Sequence, residues 1–140
     1  MSETMNLHHA PEILTLPRAL WAGRMMSAFV VIALAADGTI QLFAPAQIAS
    51  MLQETGFAMD LTRIVGPTIL ACAILYAAPA TAVLGAILVT GFLGGAICAH
   101  VRVGELGSQP ELISLLLGAM TWGGLYLRDP RIRAILPLTY

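Results

Sequence analysis

Residues 19–43, 63–78, 80–102 and 110–127 are predominantly apolar, and polar residues gather between them. A bilayer core is crossed by about 20 apolar residues in a helix, and a helix satisfies its own backbone hydrogen bonds where no water can. The pattern therefore predicts an all-α, integral membrane four-helix bundle. The third stretch is the plainest. TAVLGAILVTGFLGGAICAH carries no charge, His100, Arg102 and Glu105 follow its apolar part, and Gly104 is placed to end the helix. The first stretch has a shorter apolar heart, Met25 to Ala36, bracketed by Arg24 and Asp37, so its helix must carry a charged residue near or inside the apolar zone. Pro67 falls in the first turn of the second stretch, where a missing N–H costs least, and Pro79 closes it. Only APAT separates the second stretch from the third, which makes these helices antiparallel neighbours. Residues 1–17 read as a polar tail and 18–137 as one transmembrane domain. Within the 44–62 loop, PAQIASMLQETGF forms a short amphipathic helix with Ile48, Met51 and Leu52 on one face.

Composition agrees. Of 140 residues, 58% are hydrophobic and 11% charged, against about 25% charged in a soluble globular chain. The mean hydropathy is +0.82. Such a chain lacks the polar surface it would need in water and is too apolar for disorder. All seven basic residues are Arg and the net charge is −1, which argues against a nucleic-acid partner. Arg18, Arg24, Arg128, Arg131 and Arg133 fall at the end that holds both termini, and Arg63 and Arg102 at the other. That excess predicts cytoplasmic termini.

Other sequence signals are weaker. Arg24, the apolar run after it and Ala33-Leu34-Ala35 have the look of a cleaved signal peptide. The region before the run is long, however, and Gln41-Leu42-Phe43 continues the helix, so the segment is read as a retained span. Cys72 and Cys98 are far apart, each in an apolar run, and read as inert packing. His8 and His9 form an isolated, solvated pair, and no metal site is expected. There is no Cys-x-x-Cys, phosphate loop, paired-His haem site or hydrolase elbow. The organic cofactor, if one is used, is unknown from these residues.

Gly91, Gly95 and Ala99 recur every four residues, with Gly94 and Cys98 in a parallel row. Small residues at that spacing let another helix backbone approach. Two readings follow, packing within the chain and packing against a second copy in a homodimer.

TAVLGAILVTGFLGGAICAHVRVGE and WGGLYLRDPRIRAILP, preceded by Trp21, Gly23 and Arg24 in a W-x-G-R pattern and by Asp37-Gly38, resemble the DoxX-like family of small bacterial membrane proteins over residues 19–137. The resemblance implies a four-helix bundle in the bacterial inner membrane. The family takes its name from a membrane subunit linked to thiosulfate oxidation with quinone as acceptor, so the resemblance makes a quinone a candidate ligand. Most DoxX-like members have no assigned activity, and the resemblance therefore implies a fold more than a reaction.

Ionisable groups inside a membrane are costly and mark candidate sites. The first and third spans run in the same direction, which places Asp37 and Gln41 at the depth of His100 and Arg102. These four are the candidate ligand-binding residues, with Glu105 and Glu111 nearby. A His beside an Arg can polarise a quinone carbonyl, and a His–Asp pair can pass a proton. The plain alternative is a structural Asp37–Arg102 ion pair. Two functions stand: a redox-associated protein that binds quinone or a lipid-like molecule, and a bundle that binds membrane lipids or assists another membrane protein.

Overall fold

Backbone amides in an apolar medium need partners within their own segment, and this chain is helical almost throughout. The structure, a computed structural model, describes residues 10–135; His8 and His9 lie outside them. Six α-helices follow in order: α1 (Ala10–Phe43), α2 (Ala49–Glu54), α3 (Thr62–Ala77), α4 (Ala82–Arg102), α5 (Gln109–Arg128) and α6 (Pro130–Ile135). Short 3₁₀ turns, Pro45–Ile48 and Met59–Leu61, lead into α2 and α3. α1 starts inside the expected polar tail, because Pro11 falls in its first turn, where no N–H is required.

The four long helices close into a ring. α1 packs on α3 and α5, and α4 packs on the same two, leaving α1 and α4 on a diagonal. Antiparallel succession brings the end of α5 beside the early part of α1, so α1 begins and α5 ends at the same end of the bundle. This is called the terminal end below, and the other the far end. Three helical segments are long and apolar enough to cross a membrane: Arg18–Phe43, Met59–Ala77 and Ala82–Arg102. α5 has 20 residues, about 30 Å of helix at 1.5 Å per residue, but Gln109, Glu111, Ser114, Thr121 and Arg128 dilute its apolar character.

The surface is what a membrane protein requires. Met25, Phe29 and Ile32 on α1, Ile64 and Ile74 on α3, Ile87 on α4 and Leu112, Leu115 and Leu116 on α5 all point outward and are more than half exposed. A soluble monomer rarely shows so continuous an apolar coat.

Glycines hold the helices together, though not those of the α4 row. A Cβ at Gly23 would lie 2.8 Å from the Gly124 carbonyl oxygen, and one at Gly124 would lie 2.7 Å from Ser27 Oγ. Gly38 and Gly66 join α1 to α3 in the same manner, and Gly85 lies directly on the α3 backbone at Tyr76. Among the described residues, no atom outside the neighbouring turns of α4 comes within 4 Å of a Cβ built at Gly91, Gly94 or Gly95. The packing-within-the-chain reading is therefore corrected for Gly91, Gly94 and Gly95. Their helix sits diagonally from α1, and the close approaches are made by other glycines.

The terminal end is tightly connected. The fully buried Tyr76 hydroxyl donates to the Thr121 carbonyl oxygen at 2.8 Å and lies 3.0 Å from Ser27 Oγ. A carbonyl can only accept, so the tyrosine proton goes to Thr121 and the serine donates to the phenol oxygen. Arg128 donates to the Tyr76 carbonyl oxygen at 2.9 Å and stacks over the Tyr76 ring at 4.9 Å. Trp122 Nε1 donates to Thr90 Oγ1 at 2.9 Å, tying α5 to α4.

Candidate functional site

Toward the far end the diagonal between α1 and α4 opens into a cavity of about 640 Å³. Its cause is side-chain size. α4 turns Gly91, Gly95, Ala96 and Ala99 toward it, and α1 turns Ala33, so neither helix supplies bulk to fill the gap. The remaining wall is apolar, with Leu34, Phe92, Leu93 and Leu117 among its residues. The far-end loop covers it: Ile48, Met51 and Leu52 face inward, the face expected of the amphipathic segment, and Phe57 and Leu61 join them.

Six polar side chains reach this wall: Asp37, Gln41, Thr55, Thr62, His100 and Ser114. Asp37 and Gln41 are one helical turn apart on α1, and Gln41 Nε2 donates to Asp37 Oδ1 at 3.2 Å. His100 comes from the last turn of α4 and is only 6% exposed. Three of the four sequence candidates therefore line one cavity.

Arg102 does not line it. Its Nη2 donates to the Thr55 carbonyl oxygen at 2.7 Å, at the end of α2. The arginine thus ties the cover of the cavity to α4 and satisfies a carbonyl that the end of a short helix leaves open. Among the described residues no carboxylate lies within 4.0 Å of an arginine. The alternative of an Asp37–Arg102 ion pair gives way to two other contacts, Asp37 with Gln41 and Arg102 with Thr55. Two residues of separation put His100 and Arg102 on different faces of α4, one inward and one toward the loop.

The partner of His100 is Glu105, which the sequence reading placed nearby without pairing. His100 Nδ1 lies 2.6 Å from Glu105 Oε2. The backbone explains how a residue beyond the helix returns to it. Gly104 adopts φ +83°, a conformation open to glycine and costly for other residues. The Gly104 N–H donates to the Val101 carbonyl oxygen at 3.0 Å and the Glu105 N–H to the His100 carbonyl oxygen at 3.1 Å. These two bonds form a Schellman cap, and the cap folds Glu105 back over His100. The segment His-Val-Arg-Val-Gly-Glu carried that signal: a glycine at the capping position brings the residue after it onto the carbonyl three positions inside the helix end.

Glu111 serves the start of α5, accepting the Gly107 N–H at 2.7 Å. Cys72 is buried on α3 and Cys98 exposed on α4, and both are free thiols. Among the described residues no group of three or more His, Cys, Asp or Glu is arranged to hold a metal ion. A second recess, of about 570 Å³ at the terminal end, is lined by Arg24, Arg128 and Arg131 with Asp129 and the Pro79–Ala80 turn. Arg24 is an exposed residue at that end.

No curated protein and no solved structure gives a significant match to this chain. A family profile does: residues 25–124 match the DoxX-like family. That segment includes α1 from Met25, the far-end loop, α3, α4 and most of α5, with Asp37, Gln41, His100 and Glu105 inside it. A multi-pass helical membrane protein with this match over most of its length belongs to the DoxX-like family.

Proposed function

We propose that this protein is a membrane-embedded receptor for a quinone or similarly lipid-like molecule. The apolar body of the ligand lies between α1 and α4, and its polar head meets Asp37, Gln41 and His100. The carrying observation is the cavity itself: about 640 Å³, largely apolar, with a few polar groups gathered on its wall. Ligand pockets of drug-sized molecules have this size and this distribution of polarity, about 300–1,000 Å³. The redox-associated role rests on the resemblance that brought quinone into consideration. The cavity supports an amphiphile of that shape.

The same reading takes α5 as a fourth span and puts the terminal end in the cytoplasm, at the inner membrane. The support is the arginine distribution, with Arg24, Arg128 and Arg131 around one recess and only Arg63 and Arg102 at the far end. Anionic lipid headgroups are the natural partners of that recess.

Native mass spectrometry of the full chain in mild detergent tests the binding function. Co-purified quinone or lipid should appear on the wild type and be lost in Gly95→Leu, which fills the cavity. A wild type free of such adducts, and unable to acquire a supplied quinone or lipid, would refute the proposal. A second reading, an accessory bundle that docks on a second copy or another membrane protein, is favoured by the uncovered row of Gly94 and Cys98 on α4. The same spectra would support it by showing a dimer or a stoichiometric protein complex.

A further inference from the structure

The hydrogen-bonding capacity left free inside the cavity is markedly one-sided. The three hydroxyls on its wall all spend their protons on helix or turn carbonyls. Ser114 donates to Pro110 at 2.9 Å, Thr62 to Met59 at 2.8 Å and Thr55 to Met51 at 2.8 Å. Each keeps only lone pairs for a visitor. Gln41 directs an amide N–H to Asp37, leaving its own carbonyl oxygen as an acceptor. At His100 the Glu105 carboxylate can only accept, so the shared proton sits on Nδ1. In that tautomer Nε2 carries a lone pair, and no protein group among the described residues bonds to it. Against these acceptors the hydroxyl and amide groups of the wall offer one spare donor, the second amide hydrogen of Gln41. Arg102, the group that could have met a carbonyl, is engaged with Thr55 outside the cavity.

We infer that the cavity selects an apolar ligand whose head donates hydrogen bonds, a phenol or alcohol such as the reduced, hydroxyl-bearing form of a quinone, with His100 Nε2 as acceptor and Glu105 holding the ring in the tautomer that makes it one. This inference rests on the binding function proposed above and narrows its ligand class. A head that carries only carbonyls would face lone pairs on nearly every side. A polar ligand group left unpaired in a water-poor site loses the affinity that a made bond would supply.

The test uses the full chain in phosphatidylcholine nanodiscs and three probes with the same nine-carbon tail: an alkylphenol, its methyl ether and the corresponding benzoquinone. Affinities are corrected for partition into lipid. The phenol should bind at least about tenfold more tightly than the ether or the quinone, the worth of one well-placed hydrogen bond. His100→Ala should remove that preference while leaving weak binding of all three. Glu105→Gln is the sharper variant, since its side-chain amide can donate to Nδ1 and so turn Nε2 into a donor. It should shift preference from the phenol toward the quinone, an effect that loss of packing would not produce. The wild-type ratio decides the question even if a variant fails to fold. Equal or tighter binding of the ether or quinone to the wild type would overturn the donor inference and leave the cavity reading standing. Failure of all three probes to bind would overturn both.

Discussion

The two ends of this bundle are built from the same four helices and similar small residues, yet the terminal end closes on glycine contacts beside its arginine-lined recess and the far end opens into an apolar cavity. At the terminal end, Gly23 and Gly124 face each other across α1 and α5, and Tyr76, Ser27 and Thr121 satisfy one another inside. At the far end, Gly91, Gly95 and Ala99 face across the diagonal to α1, where no backbone is near enough to meet them. A small residue is thus not a packing signal on its own. Opposite a neighbouring helix it permits contact, and opposite a diagonal one it makes room. Two buried polar groups follow the same division: the Tyr76 hydroxyl is bonded to Thr121 and Ser27 at one end, and His100 Nε2 has no protein partner among the described residues at the other.

The sharpest way to break this comparison is to enlarge one glycine at each end. Gly124→Leu should cost about 3 kcal/mol or more, the upper range of overpacking penalties, because a Cβ alone already lies 2.7 Å from Ser27 Oγ. Thermal unfolding in detergent would show it, and an unchanged midpoint would mean the two helices are not in contact there. Tyr76→Phe should come next. It removes the hydroxyl that joins α3 to α5 and α1, takes the second donor from the Thr121 carbonyl and the acceptor from the buried Ser27 hydroxyl, and should cost about 1–2 kcal/mol in the same assay.

Gly104→Ala should cost about 1 kcal/mol, the penalty of a left-handed backbone in a residue with a side chain. Its more telling effect is on the His100–Glu105 contact, which ¹⁵N spectra of the imidazole should report as a changed tautomer ratio. Arg102→Ala should leave global stability nearly intact while amide exchange across α2 quickens, since the arginine holds the Thr55 carbonyl. Uniformly slow exchange would mean that the cover is held by its apolar face alone. The smallest effect on stability should be that of Gly95→Leu, within about 0.5 kcal/mol, as for a surface substitution, because among the described residues no packing neighbour lies within 4 Å of its added Cβ. A large loss of stability would return α4 to the close-packed role read from its spacing.

Much of the site was legible before the structure because depth along a helix follows from counting residues. Asp37, Gln41 and His100 fall at one level by arithmetic alone, and the face shared by Ile48, Met51 and Leu52 follows from their spacing. Arg102 shows the limit of that arithmetic. It lies at the same depth as His100 but at a different azimuth, and a long guanidinium finds the nearest free carbonyl rather than the nearest carboxylate in sequence diagrams. Glu105 is the opposite case. Its pairing was written in Gly104, but the signal is a turn geometry rather than a spacing of charges.

The sequence by itself determined that the chain is a helical membrane protein, roughly where the four long helices lie apart from the early start of α1, and which polar residues share a depth. Hydrophobic length and Pro or Gly punctuation act locally and are written in linear order. Only the tertiary structure decided which glycines touch a neighbour and which border a void. Ring closure makes α1 and α4 diagonal, and whether a face meets a backbone or a gap depends on that arrangement of all four helices, not on the residues of either one.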